Sequence, residues 1–238
     1  YKYMLPGDFI AYKLTGEINT TRNGLSEGII WDYKNNEIAN WLLDYYGINP
    51  NLTPDLVDNF TNQGATNSKS SEETGLNIGI PISYRAGDQP NNALALNVFD
   101  NGEVAASGGT SGVIYSITND INSKEPSRIN HFAHVNYNDN NKSIGKLLCI
   151  NGAGIQYRWL RNHSVGKSYE KMNEAASSIP VGSEGISVIP FGNGAERMLN
   201  NKNIGTHICN INLNQHSHGH LYRSSLEGCL LYTSDAAD

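Results

Sequence analysis

The sequence predicts a mixed α/β protein, and two observations carry that class. Apolar residues recur at helical spacing in some segments, as at Ile38, Trp41, Leu42, Tyr45 and Tyr46, and alternate in others, as at Ile78, Ile80 and Ile82. The two kinds of segment are interleaved along the chain, so sheets and helices share cores in an α/β or α+β arrangement. No repeat of solenoid period is visible.

Taken in order, Met4 to Leu14 is a predicted helix, stopped by Thr15-Gly16 because a glycine after the last periodic residue ends a helix. Glu37 to Tyr46 is a second, with a single apolar stripe. Gly47 closes it, and Asn49-Pro50 opens a loop. The polar, serine-rich stretch 62–74 is a predicted surface loop, and Asn77 to Tyr84 a predicted strand. Val104 to Ser107 and Val113 to Thr118 are strands flanking a glycine-rich turn, followed by a polar loop over 119–127. Lys146 to Ile150 is a short strand, Ile155 to Asn162 and Ser168 to Ile179 are helices, Ile186 to Phe191 is a strand, and His216 to Gly228 is a helix. The last ten residues, Cys229 to Asp238, break the pattern before them. They resemble the in-frame translation of a transposon-end sequencing adapter and are set apart from the fold reading.

Composition narrows the function. The 238 residues suffice for one large domain or two small ones with a real core. An apolar fraction of 38% with 17% charged residues is not that of a disordered polymer. A net charge of -6 without a basic run argues against nucleic-acid binding, which needs clustered Lys and Arg. No apolar stretch approaches the roughly 18 residues of a membrane span, and no signal peptide is visible. Cys149, Cys209 and Cys229 are odd in number and widely spaced, which argues against a disulfide framework or a zinc site. A reducing cytoplasm is the expected setting.

Four constellations could carry chemistry. Asp88, in Arg85-Ala-Gly-Asp88-Gln89-Pro, is either an acid at the mouth of a strand, able to take a proton from a hydroxyl, or the N-cap of a helix beginning near Pro90. Ser107-Gly-Gly-Thr-Ser-Gly112 is either an anion-binding turn, with Thr110 and Ser111 hydroxyls as added donors, or an ordinary hairpin turn; it is no Walker A loop. Asn151-Gly-Ala-Gly-Ile-Gln156 enters a helix, as either a ligand-facing N-terminus or a tight connection. Ile189 to Arg197 runs a strand into a polar loop, where Glu196 and Arg197 read as a solvated pair. His216, His218 and His220 could bring two imidazoles to one helix face, but no carboxylate or cysteine is well placed beside them to complete a metal site.

Together these segments resemble the FGGY family of carbohydrate kinases over essentially residues 1–228, nearest its xylulose-phosphorylating members. Leu5-Pro-Gly-Asp8-Phe with Lys13-Leu-Thr-Gly-Glu17 resembles the family's LPxDY…LTGE helix, and Ser26-Glu-Gly-Ile-Ile-Trp31-Asp32 the segment after it. Ala86-Gly-Asp-Gln89 resembles the catalytic segment, and Gly109-Thr-Ser-Gly112 the second phosphate segment. Gly152-Ala-Gly-Ile-Gln156 with Trp159-Leu-Arg161 is similar to GASIQWLRD. Ile189-Pro-Phe with Gly194-Ala-Glu-Arg197 resembles LPYLSGERTP, and His220 to Gly228 resembles ELARAxLEG. Each piece is weak alone; seven in family order carry the resemblance.

The resemblance implies a ribonuclease-H-like, actin-like ATPase fold with two domains flanking an active-site cleft, both incomplete here. Residues 1–107 would be the C-terminal part of the sugar-binding domain and 108–228 the N-terminal part of the ATP-binding domain. It implies phosphorylation of D-xylulose to D-xylulose 5-phosphate, with ATP and Mg²⁺. The alternatives are a kinase for glycerol or another polyol or ketose, as Gln89 after the acid suggests, or a non-catalytic actin-like nucleotide-binding protein. Asp88 would be the general base and Gln89 a sugar ligand. Gly109, Thr110 and Ser111 would hold phosphates, Gly152 and Gln156 would lie on the nucleotide side, and no residue is assigned to a metal. The implied partners are the sugar and ATP, with no nucleic acid or membrane, and a full-length protein able to form a homodimer. Asn193, Met198 and Asn210 depart from the family pattern. The family's D-x-G-T-S, Met-His-Gly and Gly-Gly-Gly segments do not occur in these residues, so the 238-residue chain is expected to be inactive alone.

Overall fold

The computed structural model describes residues 1–122, 124–164, 166 and 168–234. Helix α1 (Pro6–Thr15) starts with Pro6 at its first position, where the missing N–H costs nothing, and stops at Gly16 in the left-handed region. Strand β1 (Asn19–Thr21) leads directly into α2 (Arg22–Glu27), because the Thr21 hydroxyl accepts the Gly24 N–H at 3.1 Å and caps the helix. A short antiparallel pair follows, β2 (Trp31–Asp32) with β3 (Glu37–Ile38), and then α3 (Asn40–Tyr45). Strand β4 (Asp55–Val57) pairs in parallel with β1, Thr20 opposite Leu56. Next come α4 (Ser68–Thr74) and α5 (Asp88–Ala95). Strands β5 (Val104–Gly108), β6 (Gly112–Thr118), β7 (Asn130–Ala133) and β8 (Ile144–Ile150) hydrogen-bond in the order β5-β6-β8-β7. The remainder is α6 (Ala153–His163), α7 (Tyr169–Ser177), the antiparallel pair β9 (Ser187–Phe191) and β10 (Gly205–Cys209), and α8 (His218–Ser234).

The chain divides into two compact units. The first holds Tyr1–Val104, Ile117–Asn122 and His131–Lys146; the second holds Ala105–Ser116, Ser123–Asn130 and Leu147–Asp238. Leu25, Trp31, Ala133, Tyr137 and Ile144 form a core cluster of the first unit, with Ile30, Tyr33 and Ile38 packed on it. The Trp31 and Tyr137 rings meet edge-on at 6.3 Å, and the Trp31 indole N–H reaches the Tyr137 hydroxyl at 3.4 Å. In the second unit Tyr157, Leu160, Met172, Ala176 and Tyr222 join α6, α7 and α8. Ile150, Phe191 and Ala195 make a further cluster with Tyr232 against it.

Three expectations need correction. The alternating isoleucines of 77–84 form no strand: Gly79 is left-handed (φ 86°), Pro81 has no N–H to offer, and a single bridge to Ala65 is formed. Ile82 accepts the Gln63 N–H and donates to the Gly64 carbonyl, and Thr66 donates to the Ile80 carbonyl and accepts the Gly79 N–H, but Ile78 stays 65% exposed. The predicted loop 62–74 contains α4, which has no apolar face and is held by a capping box between Asn67 and Ser70. The helix predicted over 37–46 is only α3, and its apolar stripe does not face the core. Trp41, Tyr45 and Tyr46 are exposed, while Ala39 and Leu43 are buried.

Helix α8 runs through Ser234, past Gly228; residues 235–238 lie outside the described residues. Contrary to the sequence expectation, a carboxylate does lie beside one of its histidines, His220. His220 Nδ1 accepts the Ser217 N–H at 3.0 Å, and Nε2 lies 3.1 Å from Glu184. Among the described residues ten other than glycine have positive φ, and five of these are asparagine: Asn36, Asn97, Asn200, Asn201 and Asn210.

Candidate active site

In the first unit, the approach to Asp88 is built from polar residues. The N-cap of α5 is Gly87, so Asp88 is the first helical residue and not the cap. Its carboxylate is exposed. Oδ1 accepts the Gln89 N–H at 2.8 Å, and the Gln89 side-chain amide lies 3.4 Å from Oδ2. Both candidate residues of this segment are thus side by side, with the carboxylate open to accept further hydrogen bonds.

Beneath this junction is a cavity of about 360 Å³, lined among others by Asp8, Asn23, Glu27, Arg85 and Gly87. Asp8, only 5% exposed, accepts the Thr20 hydroxyl at 2.8 Å and faces Arg85 Nε at 3.2 Å. Burial raises the Asp8 carboxyl above the usual carboxylate range, against the opposing pull of Thr20 and Arg85. Burial likewise raises Glu27, opposed by the Gly87 N–H and reinforced by the charge of Asp88. Arg85 is lowered by the same desolvation, with Asp8 pulling it back up. The Glu27 carboxyl group occupies the space a Cβ on Gly87 would need, which accounts for glycine immediately before Asp88.

In the second unit, the β5–β6 turn meets the start of α6. Ile155 N–H donates to the Thr110 carbonyl at 3.1 Å, and a Cβ on Gly154 would overlap the Gly109 carbonyl. Gly109 and Thr110 line a cavity of about 630 Å³ with Gly154, Tyr157, Arg158 and Tyr169. The Gly109 N–H is occupied by the Ser111 carbonyl at 3.0 Å, so any anion at this turn would be met by other donors, such as the Thr110 and Ser111 hydroxyls. Gly152 and Gln156 line a different cavity, of about 490 Å³, with Trp159, Gly192 and Thr206. Gln156 is 6% exposed and donates to Ser225 Oγ at 3.1 Å, which fixes the side chain against α8 and leaves Oε1 without a partner.

The five residues expected on the nucleotide side therefore fall into two groups around the start of α6. Sequence patterns alone assign no chemical role to Asp8, Glu27 or Arg85. A charged residue among apolar neighbours, as Glu27 is near Leu25, Ile29 and Ile30, was the available signal for a buried carboxylate.

Residues 1–95 match the model of the FGGY family of carbohydrate kinases, N-terminal domain. A xylulose kinase from Staphylococcus xylosus is 26% identical over 192 residues, which are 80% of this chain and 39% of that protein. The solved gluconate kinase of Lactobacillus acidophilus superposes with a TM-score of 0.87 at 19% identity, over 99% of this chain and 47% of that one. The glycerol kinase of Plasmodium falciparum with ADP gives 0.83 at 18% identity, over 97% and 46%. The chain spans less than half the length of each. The likeness shows the fold, the actin-like arrangement of these kinases.

Proposed function

We propose that the match of residues 1–95 to the FGGY N-terminal domain extends to the whole chain as a member of that family of carbohydrate kinases, and that the protein transfers the γ-phosphoryl group of ATP to a primary hydroxyl of D-xylulose, giving D-xylulose 5-phosphate and ADP in the cytoplasm. The observation that carries the reading is the exposed Asp88 carboxylate at the start of α5, with Gln89 beside it. In this reaction Asp88 accepts the proton of the attacking hydroxyl, the resulting oxygen bonds to the γ-phosphorus, and the bond to the ADP oxygen breaks. Gln89 hydrogen-bonds a second hydroxyl and so orients the first. Thr110 and Ser111 supply donors to the phosphates, Gly109 allows close approach, and Gly152 and Gln156 stand on the nucleotide side.

Mg²⁺, when bound, would offset the negative charge of the phosphates that Thr110 and Ser111 are proposed to hold. Among the described residues no group of three or more His, Cys, Asp or Glu forms a cage. Glycerol or another polyol is the second acceptor to test, favoured by Gln89.

The test is ADP release by the full-length protein with D-xylulose, glycerol and gluconate. Asp88→Asn should lower kcat by about 10²–10⁴ while leaving ATP affinity unchanged. Turnover within a few-fold of the unaltered protein would remove Asp88 as the base.

A further inference from the structure

We propose that Tyr84 is a positioning residue for Asp88: its hydroxyl ties down the first turn of α5 and so holds in place the carboxylate that opens that helix. This rests on the kinase reading for the role of Asp88, and on geometry alone for the tether. Helix α5 begins without a side-chain cap. Its N-cap is Gly87, which has no side chain to accept a first-turn N–H. Pro90 and Ala93 are buried, while Asp88 is exposed. The Tyr84 hydroxyl donates to Asn91 Oδ1 at 2.7 Å. Asn91 follows Asp88 by three positions, so the two residues share one face of the helix. The Asn91 N–H also donates to the Gly87 carbonyl at 3.1 Å, the first turn closing on itself. The Tyr84–Asn91 bond thus links the segment that enters α5 to that turn and spans the position of Asp88.

A second observation concerns what holds Tyr84. The Phe60 ring stacks on the Tyr84 ring, with centroids 5.1 Å apart and planes 12° from parallel. Phe60 has a φ of 59°, in the left-handed region that bulky side chains rarely enter. It is also 53% exposed, so burial does little to offset that strain. Backbone strain of this kind clusters at functional sites, where it belongs to the arrangement of the site. Burial, and after it the charge of Glu27, pushes the Tyr84 phenol up to about 12, so the hydroxyl keeps the proton it donates at neutral pH. A general base works only within hydrogen-bond reach of the proton it takes. A looser first turn leaves fewer molecules with the Asp88 carboxylate in that place.

Tyr84→Phe keeps the stacked ring and deletes the tether. In the full-length protein it should lower kcat about three- to tenfold, the worth of one hydrogen bond, and leave the KM for ATP unchanged. Asn91→Ala should do the same, and Asn91 is exposed, so its replacement disturbs no core. The double variant should be no worse than either single change, because both remove one bond. In the Asp88→Asn protein, Tyr84→Phe should cost nothing further, whereas a residue that merely kept the fold intact would lower the residual rate as well. Hydrogen exchange of the full-length protein without substrates reads the tether apart from activity. The Asn91 N–H should exchange about three- to tenfold faster in Tyr84→Phe, with the amides of α8 unchanged. Full kcat in both single variants, unchanged Asn91 exchange, or an equal loss in the Asp88→Asn protein would each overturn the proposal and leave the kinase reading standing. Faster Asn91 exchange in a full-length protein that phosphorylates no acceptor removes the kinase reading and leaves the tether.

Discussion

Gly152→Ala isolates what a single methyl group does at the entry to α6. Gly152 has a negative φ (φ −91°, ψ −6°), a conformation that alanine can adopt. The obstacle is steric: the new Cβ would overlap the Pro190 carbonyl. Pro190 lies in β9, opposite Thr206 of β10, and the pairing holds its backbone in place. Backbone faces backbone, so no side-chain rotation relieves the clash. Overpacking of this kind costs about 1–3 kcal/mol, and the rigid partner puts Gly152→Ala near the upper end. With a urea m-value of about 1–3 kcal/mol/M, the unfolding midpoint should fall by roughly 1–3 M. Gly7→Ala is the control: it lies within α1 with nothing within 4 Å of the added carbon, and should gain about 0.4–1 kcal/mol. The reasoning fails if Gly152→Ala costs less than about 0.5 kcal/mol, or if Gly7→Ala is equally damaging. Unchanged stability with lost ATP affinity would mean that the glycine is required by the ligand and not by the strand.

Asp8→Ala should destabilise by about 3–5 kcal/mol, because it strands the buried Arg85 charge, and the double variant Asp8→Ala/Arg85→Met should be less damaged than Asp8→Ala alone; chemical denaturation of the two reads this directly. His134, fully buried with Nε2 3.1 Å from the Val98 carbonyl, is pushed down to about 4 by burial. The unfolded chain therefore binds the extra proton first, and about 3 kcal/mol of stability should be lost as pH falls from 6.5 to 4. His134→Phe should flatten that limb of the stability–pH curve. Asp8 and Glu27, raised in the folded state, act with the opposite sign: their contribution declines as pH rises through their folded values.

The strands β6, β8 and β9 were legible because β-branched and apolar residues there enter a core. The 77–84 pattern misled for a local reason, since Gly79 and Pro81 break a ladder whatever the isoleucines favour. Helix α4 carried its signal in its ends, Asn67 with Ser70 and then Gly75, and not in any periodicity. The stripe of α3 shows that apolar spacing reports a face without saying what covers it. At the candidate site, Asp88 and Gln89 were found through motif order. The Asp8–Arg85 pair joins residues 77 apart in sequence, and no local pattern foretells such an encounter.

Asn36, Asn97, Asn200, Asn201 and Asn210 occupy a backbone region that most side chains avoid and asparagine tolerates. An asparagine introduced at such a turn therefore costs little. The same replacement at Leu25 or Ile144 would bury an amide in an apolar cluster and cost about 1–3 kcal/mol for each unpartnered group. Asparagine content can thus change at these turns while the cores stay as they are.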